Sequence, residues 1–181
     1  MKNETHADHE RVDALLSSVD IATCDGFVRF LSIHQSCFMV MRDLAPCESP
    51  AWSSLNEMLH RIDDDLAVLG ASESIHVVSD LQNPDQLAME YVIEGSRLGS
   101  KILRSRWLTA SDPTVQQATA YFSLASVPGR WRDVCDQLSS IPTESERAQT
   151  IVEDTKMLFA LFYTAAHEPV TDHLPDVELA S

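Results

Sequence analysis

Two histidines near the start of the chain have the type and spacing that metal binding requires. His9 lies four residues before Asp13, and His6 lies three residues before His9. At about 100° per residue on a helix, His9 and Asp13 share one face with the apolar Val12, so the carboxylate can orient the ring. A metal-ligating histidine commonly has such a partner, which fixes its tautomer. Taken alone, a histidine near the start of a chain is more often solvated or hydrogen-bonded in the core than bound to metal, so ligation by His9 is one of two interpretations here, with His6, about 60° away on the wheel, as the competing ligand.

A second unusual feature is a pair of glycines inside a predicted helix, in the segment EYVIEGSRLGSKIL, residues 90–103. A glycine within a helix costs about 1 kcal/mol relative to alanine, so Gly95 and Gly99 need a compensating role. Their shared face, which includes Ser96, carries almost no large side chain. Either another helix packs closely there, or a flat and bulky group lies against the backbone. Wheel geometry alone favours helix packing, because core contacts are commoner than cofactors.

Two further sets of residues have types that occur in functional sites. His34 lies in the apolar segment FLSIHQSCFMVM and is predicted to be a hydrogen-bonded core histidine. Three consecutive acids point in different directions on a helix and are therefore predicted to form a solvated face, not a metal site. These acids are Asp63, Asp64 and Asp65.

The elements that position these residues are predicted to be helices throughout, because apolar residues recur at three- and four-residue spacing. We expect a single-domain, all-α bundle over residues 1–168, followed by a flexible C-terminal tail, 169–181. The predicted helices cover about 2–18, Thr23 to the APCESP segment, Ser53 or Ser54 to Gly70, Asn83-Pro84 to Trp107, Asp112-Pro113 to Ser123, the residues after Pro128-Gly129, and 143–167. Residues 71–82 are predicted to form either a short helix or an extended segment.

The charge and hydropathy patterns limit the possible partners and location. A net charge of −15 argues against a nucleic-acid-binding protein, whose affinity comes largely from neutralising phosphates. No run of about 18 apolar residues is present, so no membrane span is expected. The polar start, MKNETHADHERVD, lacks the features of a secretory signal, and a cytoplasmic location is expected. A basic cluster interrupts the acidic sequence at Arg97, Lys101, Arg104 and Arg106.

Three segments resemble the heme oxygenases in the order of that family. Residues 2–13, KNETHADHERVD, are similar to the family's first helix, in which a threonine precedes the proximal histidine by four positions. Residues 91–100, YVIEGSRLGS, resemble the distal helix, particularly that of bacterial enzymes that make biliverdin for bacteriophytochromes. Residues 152–159, VEDTKMLF, resemble the final helix. The resemblance implies a heme-oxygenase-like helical bundle.

The same resemblance assigns roles to individual residues. It makes His9 the iron ligand, oriented by Asp13. It places Gly95, Ser96 and Gly99 over the distal side of heme as the catalytic segment. Ser96 stands where the animal enzymes have an aspartate that organises water, and a hydroxyl cannot replace the charge of a carboxylate. The remaining positions that it implies at the heme are Lys2, Tyr91 and Arg132 beside the propionates, and Phe159 on the pocket wall.

The resemblance implies a heme-degrading monooxygenase for which heme is both substrate and cofactor. Such an enzyme uses O₂ and electrons to produce biliverdin, CO and Fe²⁺. The expected electron donor is an acidic protein of the ferredoxin or flavodoxin type, which the basic cluster would bind, and a bacteriophytochrome is the expected receiver of the bilin. Arg97 is expected to face solvent or to reach a propionate. Two alternatives stay open: a catalytically silent heme carrier or sensor, and a helical interaction protein without heme.

Overall fold

The computed structural model describes residues 2–71, 73–125, 127–169 and 171–172. Over these residues the chain forms seven helices, which confirms the all-α prediction, together with two strands of two residues each. The elements are α1 (Lys2–Ser18), α2 (Cys24–Leu44), α3 (Pro50–Val68), β1 (Glu73–Ser74), α4 (Gln86–Trp107), α5 (Pro113–Gln117), α6 (Arg130–Ser140), α7 (Glu146–His167) and β2 (Thr171–Asp172).

The two short strands join segments that are far apart in the chain. β1 lies in the segment predicted as either helical or extended, and it pairs antiparallel with β2, so that Glu73 is opposite Asp172 and Ser74 is opposite Thr171. β2 falls within the predicted tail, 169–181. Of that tail, residues 170 and 173–181 lie outside the described residues.

Several helix starts follow the predicted capping chemistry. Thr23 is extended, and its side chain accepts a hydrogen bond from the Gly26 backbone N–H at the start of α2. Asp112 caps α5 in the same way, by accepting from the Thr114 N–H, with proline at the first helical position. Side-chain oxygens at this position satisfy N–H groups that have no partner within the helix.

Three predicted helix starts are displaced, two of them because a neighbouring residue forms the cap. α3 begins at Pro50 after a Ser49 cap, not at Ser53 or Ser54, since proline is well suited to the first helical turn. Asn83 has a φ of 47°, which a helix cap does not adopt, and Asp85 caps α4 by accepting from the Leu87 N–H. α7 likewise begins later than predicted, after a Ser145 cap.

The prediction of a solvated acidic face is wrong for Asp65. This side chain is buried, and its carboxylate accepts hydrogen bonds from the backbone N–H groups of Ala120 and Tyr121, each at 2.8 Å. Burial raises the pKa of Asp65, and these two bonds oppose that change. Because those N–H groups donate to Asp65, α5 ends at Gln117 instead of continuing to Ser123 as predicted.

The core is centred on α2, which packs against α3 and α7, while α7 also packs against α1 and α4. Phe27, Phe30 and Phe38 of α2 are fully buried, and each contributes about 1.5–3 kcal/mol through removal of its side chain from water. These contacts hold α1 and α4 on neighbouring parts of α7. Among the helices of the described residues, none is long and apolar enough to cross a membrane.

Candidate functional site

A cavity of about 440 Å³ lies between α1 and α4 and is completed by residues of α2, α6 and α7. His9 lines it from α1, whereas Gly95 and Gly99 line it from α4. Its volume falls within the range of about 300–1,000 Å³ that is usual for small-molecule and cofactor sites. The structure thus brings together at one cavity the two segments whose chemistry the sequence singled out.

His9 is held at the cavity by two contacts. Its Nδ1 lies 3.1 Å from an Asp13 carboxylate oxygen, and about 45% of its side chain is exposed. Its ring meets Phe159 edge to face, with the ring centroids 5.4 Å apart. Since Asp13 occupies Nδ1, Nε2 is the nitrogen that can bind a metal ion, and the carboxylate favours that tautomer.

His6, the competing ligand, also lines the cavity but presents different chemistry. Its Nε2 lies 3.2 Å from the Glu10 carboxylate, and 59% of its side chain is exposed. Nδ1, the nitrogen next to the backbone, would therefore have to bind the metal. His6 would need to change its ring orientation or give up Glu10 to ligate as His9 can. The geometry favours His9.

Gly99 borders open space, and Gly95 faces a single side chain, that of Trp131 on α6. A Cβ added at Gly95 would meet only the Trp131 side chain, at 3.9 Å, and one added at Gly99 would meet nothing within 4 Å. Internal packing therefore does not require either glycine. The preference for helix packing drawn from wheel geometry is wrong, and the bare backbone lines the cavity instead.

The two hydroxyls beside the glycines are both engaged by their own helix. Ser96 Oγ donates to the Ile93 carbonyl at 2.8 Å, and Ser100 Oγ donates to the Ser96 carbonyl at 2.9 Å. A hydroxyl has a single proton to donate. In this arrangement both serines can therefore accept a hydrogen bond from a cavity ligand but cannot donate one.

One end of the cavity is built from aromatic rings. Tyr91, predicted to lie beside a heme propionate, lines the cavity, with its ring centroid 5.3 Å from that of Trp131. A side-chain hydrogen bond joins Tyr91 to Thr5 of α1, and burial raises the tyrosine pKa. Sequence reasoning missed Trp131, because only the turn before α6 brings that residue over α4.

Of the other two predicted propionate partners, only Arg132 has a described side chain, and it is not part of the cavity lining. Arg132 is exposed on α6, and it is the adjacent Trp131 that reaches the cavity. Lys2 begins α1, but its side chain lies outside the described part of the chain.

The predicted four-residue basic surface is wrong for two of its members. Arg97 does not face solvent: only 5% of its side chain is exposed, and its guanidinium lies 3.5 Å from the Glu57 carboxylate. Arg106 donates to the carbonyls of Ser17 and Val19, at 2.8 and 3.1 Å, just where α1 ends. Only Lys101 and Arg104 of the cluster are exposed.

The predicted core histidine is confirmed, and it has a second property that the sequence did not indicate. His34 is 3% exposed, and its Nδ1 lies 2.8 Å from the Phe30 carbonyl oxygen. The same side chain also lines the cavity. Burial lowers its pKa to about 4, so the ring is neutral at physiological pH.

Comparisons of the chain with protein-family models, with curated proteins and with solved structures found no match.

Proposed function

We propose that the chain binds heme between α1 and α4, with His9 as the axial ligand, and cleaves it to biliverdin, CO and Fe²⁺. The observation that carries this proposal is the common cavity of a carboxylate-oriented imidazole and an unobstructed glycine backbone. A neutral histidine is one of the usual axial ligands of heme iron. The heme-oxygenase-like fold that the sequence resemblance implies is part of the same proposal.

The residues around the cavity fit a flat apolar ligand that carries a metal. Phe159 contacts the His9 ring, Trp131 and Tyr91 add aromatic surface, and Gly99 leaves clearance beside the helix backbone. Heme would supply the iron that binds O₂ and the ring that is oxidised. The protein's part is to hold the imidazole through Asp13, to cover the porphyrin faces, and to limit the space above the glycines.

The first experiment is to mix the purified protein with hemin and then add a reductant in air. Histidine coordination is expected to give a sharp Soret band, and ascorbate or a ferredoxin with its reductase is expected to convert that band to biliverdin absorption. A protein without a Soret band would contradict heme binding. It would support the helical interaction protein as the better alternative.

A second candidate is a heme carrier or sensor that does not turn over. The observation that favours it is the hydrogen bonding of Ser96 and Ser100, whose protons are both donated to helix carbonyls. Oxygen bound above the glycines would then lack a donor from these serines. A Soret band that persists unchanged under reductant and O₂ would support this candidate and contradict the enzyme.

The electron donor of the proposed enzyme is an acidic protein of the ferredoxin or flavodoxin type. Lys101 and Arg104 are the exposed cations of α4 nearest the cavity residues Gly99 and Ile102 in sequence. On a chain with a net charge of −15, a local positive surface would steer an acidic donor to this side of the molecule. A bacteriophytochrome remains the proposed receiver of biliverdin, and the expected cytoplasmic location belongs to the same proposal.

A further inference from the structure

His34 of α2 reaches the cavity from within the aromatic core. Its ring lies 4.2 Å from that of Phe30 and 5.5 Å from those of Phe38 and Phe162, measured between centroids. An apolar side chain would fill such surroundings at lower cost, because a buried polar atom loses its hydration. The presence of an imidazole there requires an explanation beyond packing.

The hydrogen bonding of His34 fixes which ring nitrogen can act in the cavity. The Phe30 carbonyl only accepts, so the Nδ1 that lies 2.8 Å from it must carry the proton and donate. The neutral ring then has a lone pair on Nε2, which makes this atom a hydrogen-bond acceptor. Buried acceptors in folded proteins nearly always have a partner, and ordered water often supplies it.

Contacts through Tyr121 connect His34 to α4, the helix that carries Gly95 and Gly99. The Tyr121 ring lies 5.8 Å from the His34 ring, and its hydroxyl lies 3.3 Å from Ser100 Oγ on α4. Ser100 Oγ is the donor both to this hydroxyl and to the Ser96 carbonyl, so its single proton is divided between two acceptors. Asp65 holds the Tyr121 backbone in place through the N–H bond at 2.8 Å.

This hydrogen-bond arrangement leaves a ligand above the glycines without a donor from these side chains. Ser96 and Ser100 have each committed their one hydroxyl proton, and the Nδ1–H of His34 is committed to Phe30. A water that donates to Nε2 would have a second hydrogen to offer. Water is therefore the ligand whose chemistry matches the available acceptor.

We propose that His34 is a positioning residue: its Nε2 accepts a hydrogen bond from a cavity water and directs that water's second hydrogen toward oxygen bound above Gly95 and Gly99. This inference rests on the proposed function, since it identifies the donor that the serines do not provide. The water stabilises negative charge that develops on the bound oxygen. His34 does not touch that oxygen and acts only through the water.

The first test uses the protein without heme and so does not depend on the proposed function. A high-resolution crystal structure is expected to contain an ordered water within hydrogen-bonding distance of His34 Nε2. The same water is expected to be absent from His34→Leu and present in His34→Gln, whose amide oxygen can accept. Absence of an ordered water at His34 Nε2 in the wild-type protein would overturn the proposal.

The second test uses the heme-loaded protein with CO as a probe of the space above the glycines. A nearby donor lowers the C–O stretching frequency, so wild type and His34→Gln are expected to have a lower frequency than His34→Leu. Exchange into D₂O is expected to shift the C–O stretching frequency in wild type and His34→Gln but not in His34→Leu. Heme cleavage is expected to fall by about 10- to 100-fold in His34→Leu and to recover in His34→Gln, as for other positioning partners.

The outcomes separate the two proposals. A missing Soret band would contradict the proposed function, while the heme-free structure would still decide whether His34 holds a water. A normal Soret band with the same C–O stretch in wild type and His34→Leu would overturn the role of His34 alone. In His34→Leu the Phe30 carbonyl keeps the backbone N–H of residue 34 as its helical partner, so no buried acceptor is left unpaired and the variant should fold. His34→Met provides a second variant without the imidazole acceptor.

Discussion

His9 Nδ1 and an Asp13 carboxylate oxygen are 3.1 Å apart at the edge of the cavity. The next histidine along α1 has a matching acid, since His6 lies 3.2 Å from Glu10 at the same four-residue spacing. The difference is the nitrogen involved, Nδ1 in His9 and Nε2 in His6. The His6–Glu10 pair can therefore serve as a control for the role of the His9–Asp13 pair.

Exchange of His9 for alanine is expected to abolish the sharp Soret band, because it removes the proposed iron ligand. His6→Ala is expected to retain it. The measurement is a hemin titration of each variant, with far-ultraviolet circular dichroism to verify that the helices are intact. A band lost in His6→Ala and kept in His9→Ala would reverse the ligand assignment.

Exchange of Asp13 for asparagine is expected to weaken heme binding by about 10- to 100-fold, because a neutral amide stabilises the ligating tautomer less well. Glu10→Gln makes the same chemical change at the His6 pair and is expected to leave the affinity unchanged. Dissociation constants from hemin titrations give the comparison. Equal losses in the two variants would show that surface charge, and not orientation of His9, is responsible.

Substitution at Gly99 is expected to separate stability from binding. Gly99→Ala should raise the free energy of unfolding by about 1 kcal/mol, because alanine favours a helix and its Cβ meets nothing within 4 Å. Gly99→Leu should fold equally well but lose heme uptake, because its side chain would occupy the cavity. Ser105→Leu, at an exposed position of α4, is the control and should bind heme normally. Undiminished uptake by Gly99→Leu would argue against heme lying on this backbone.

The free energy of unfolding is expected to fall in acid because of His34. Its pKa is lowered from 6.5 to about 4, so between these pH values the unfolded chain binds a proton that the folded chain does not. Stability is therefore fully present above pH 6.5 and is lost as the pH falls toward 4, by about 3 kcal/mol in total. Urea titrations across this range measure the slope. An equal slope in His34→Gln would show that other groups cause the acid destabilisation.

Charge reversal at the two exposed cations of α4 is expected to slow electron delivery specifically. Lys101→Glu with Arg104→Glu should reduce heme cleavage driven by a ferredoxin by about tenfold or more at low salt, through slower association. The ascorbate-driven rate should not change. Arg61→Glu with Lys156→Glu gives the same change in net charge on other helices and should have a smaller effect. Equal rates in both double variants would contradict docking at α4.

The sequence predicted those parts of the fold that depend on local geometry. The faces of α1 and α4 follow from the helical repeat, so the grouping of His9 with Asp13, and of Gly95 with Gly99, could be obtained without coordinates. Errors at helix starts arose where two capping signals lie close together. At Ser49-Pro50 a proline can mark either the end of one helix or the first turn of the next, and here it opens α3.

The residues that sequence reasoning misplaced or missed depend on contacts between distant segments. Arg97 is buried because α4 packs on α3, where Glu57 compensates its charge. Trp131 and His34 reach the cavity from α6 and α2, which the spacing of residues in α4 cannot reveal. The short α5 depends on Asp65, whose hydrogen bonds span 55 and 56 positions of the chain.

The bonds that link α1 and α4 at both ends have a consequence for the energetics of ligand entry. Thr5 meets Tyr91 near the beginnings of the two helices, and Arg106 reaches the carbonyls of Ser17 and Val19 near their ends. Because α1 and α4 are linked at both ends, we expect them to resist sliding and separation. The cavity between them should then keep its width without a ligand. A ligand would therefore enter a preorganised site, and little of its binding free energy would be lost to ordering the two helices.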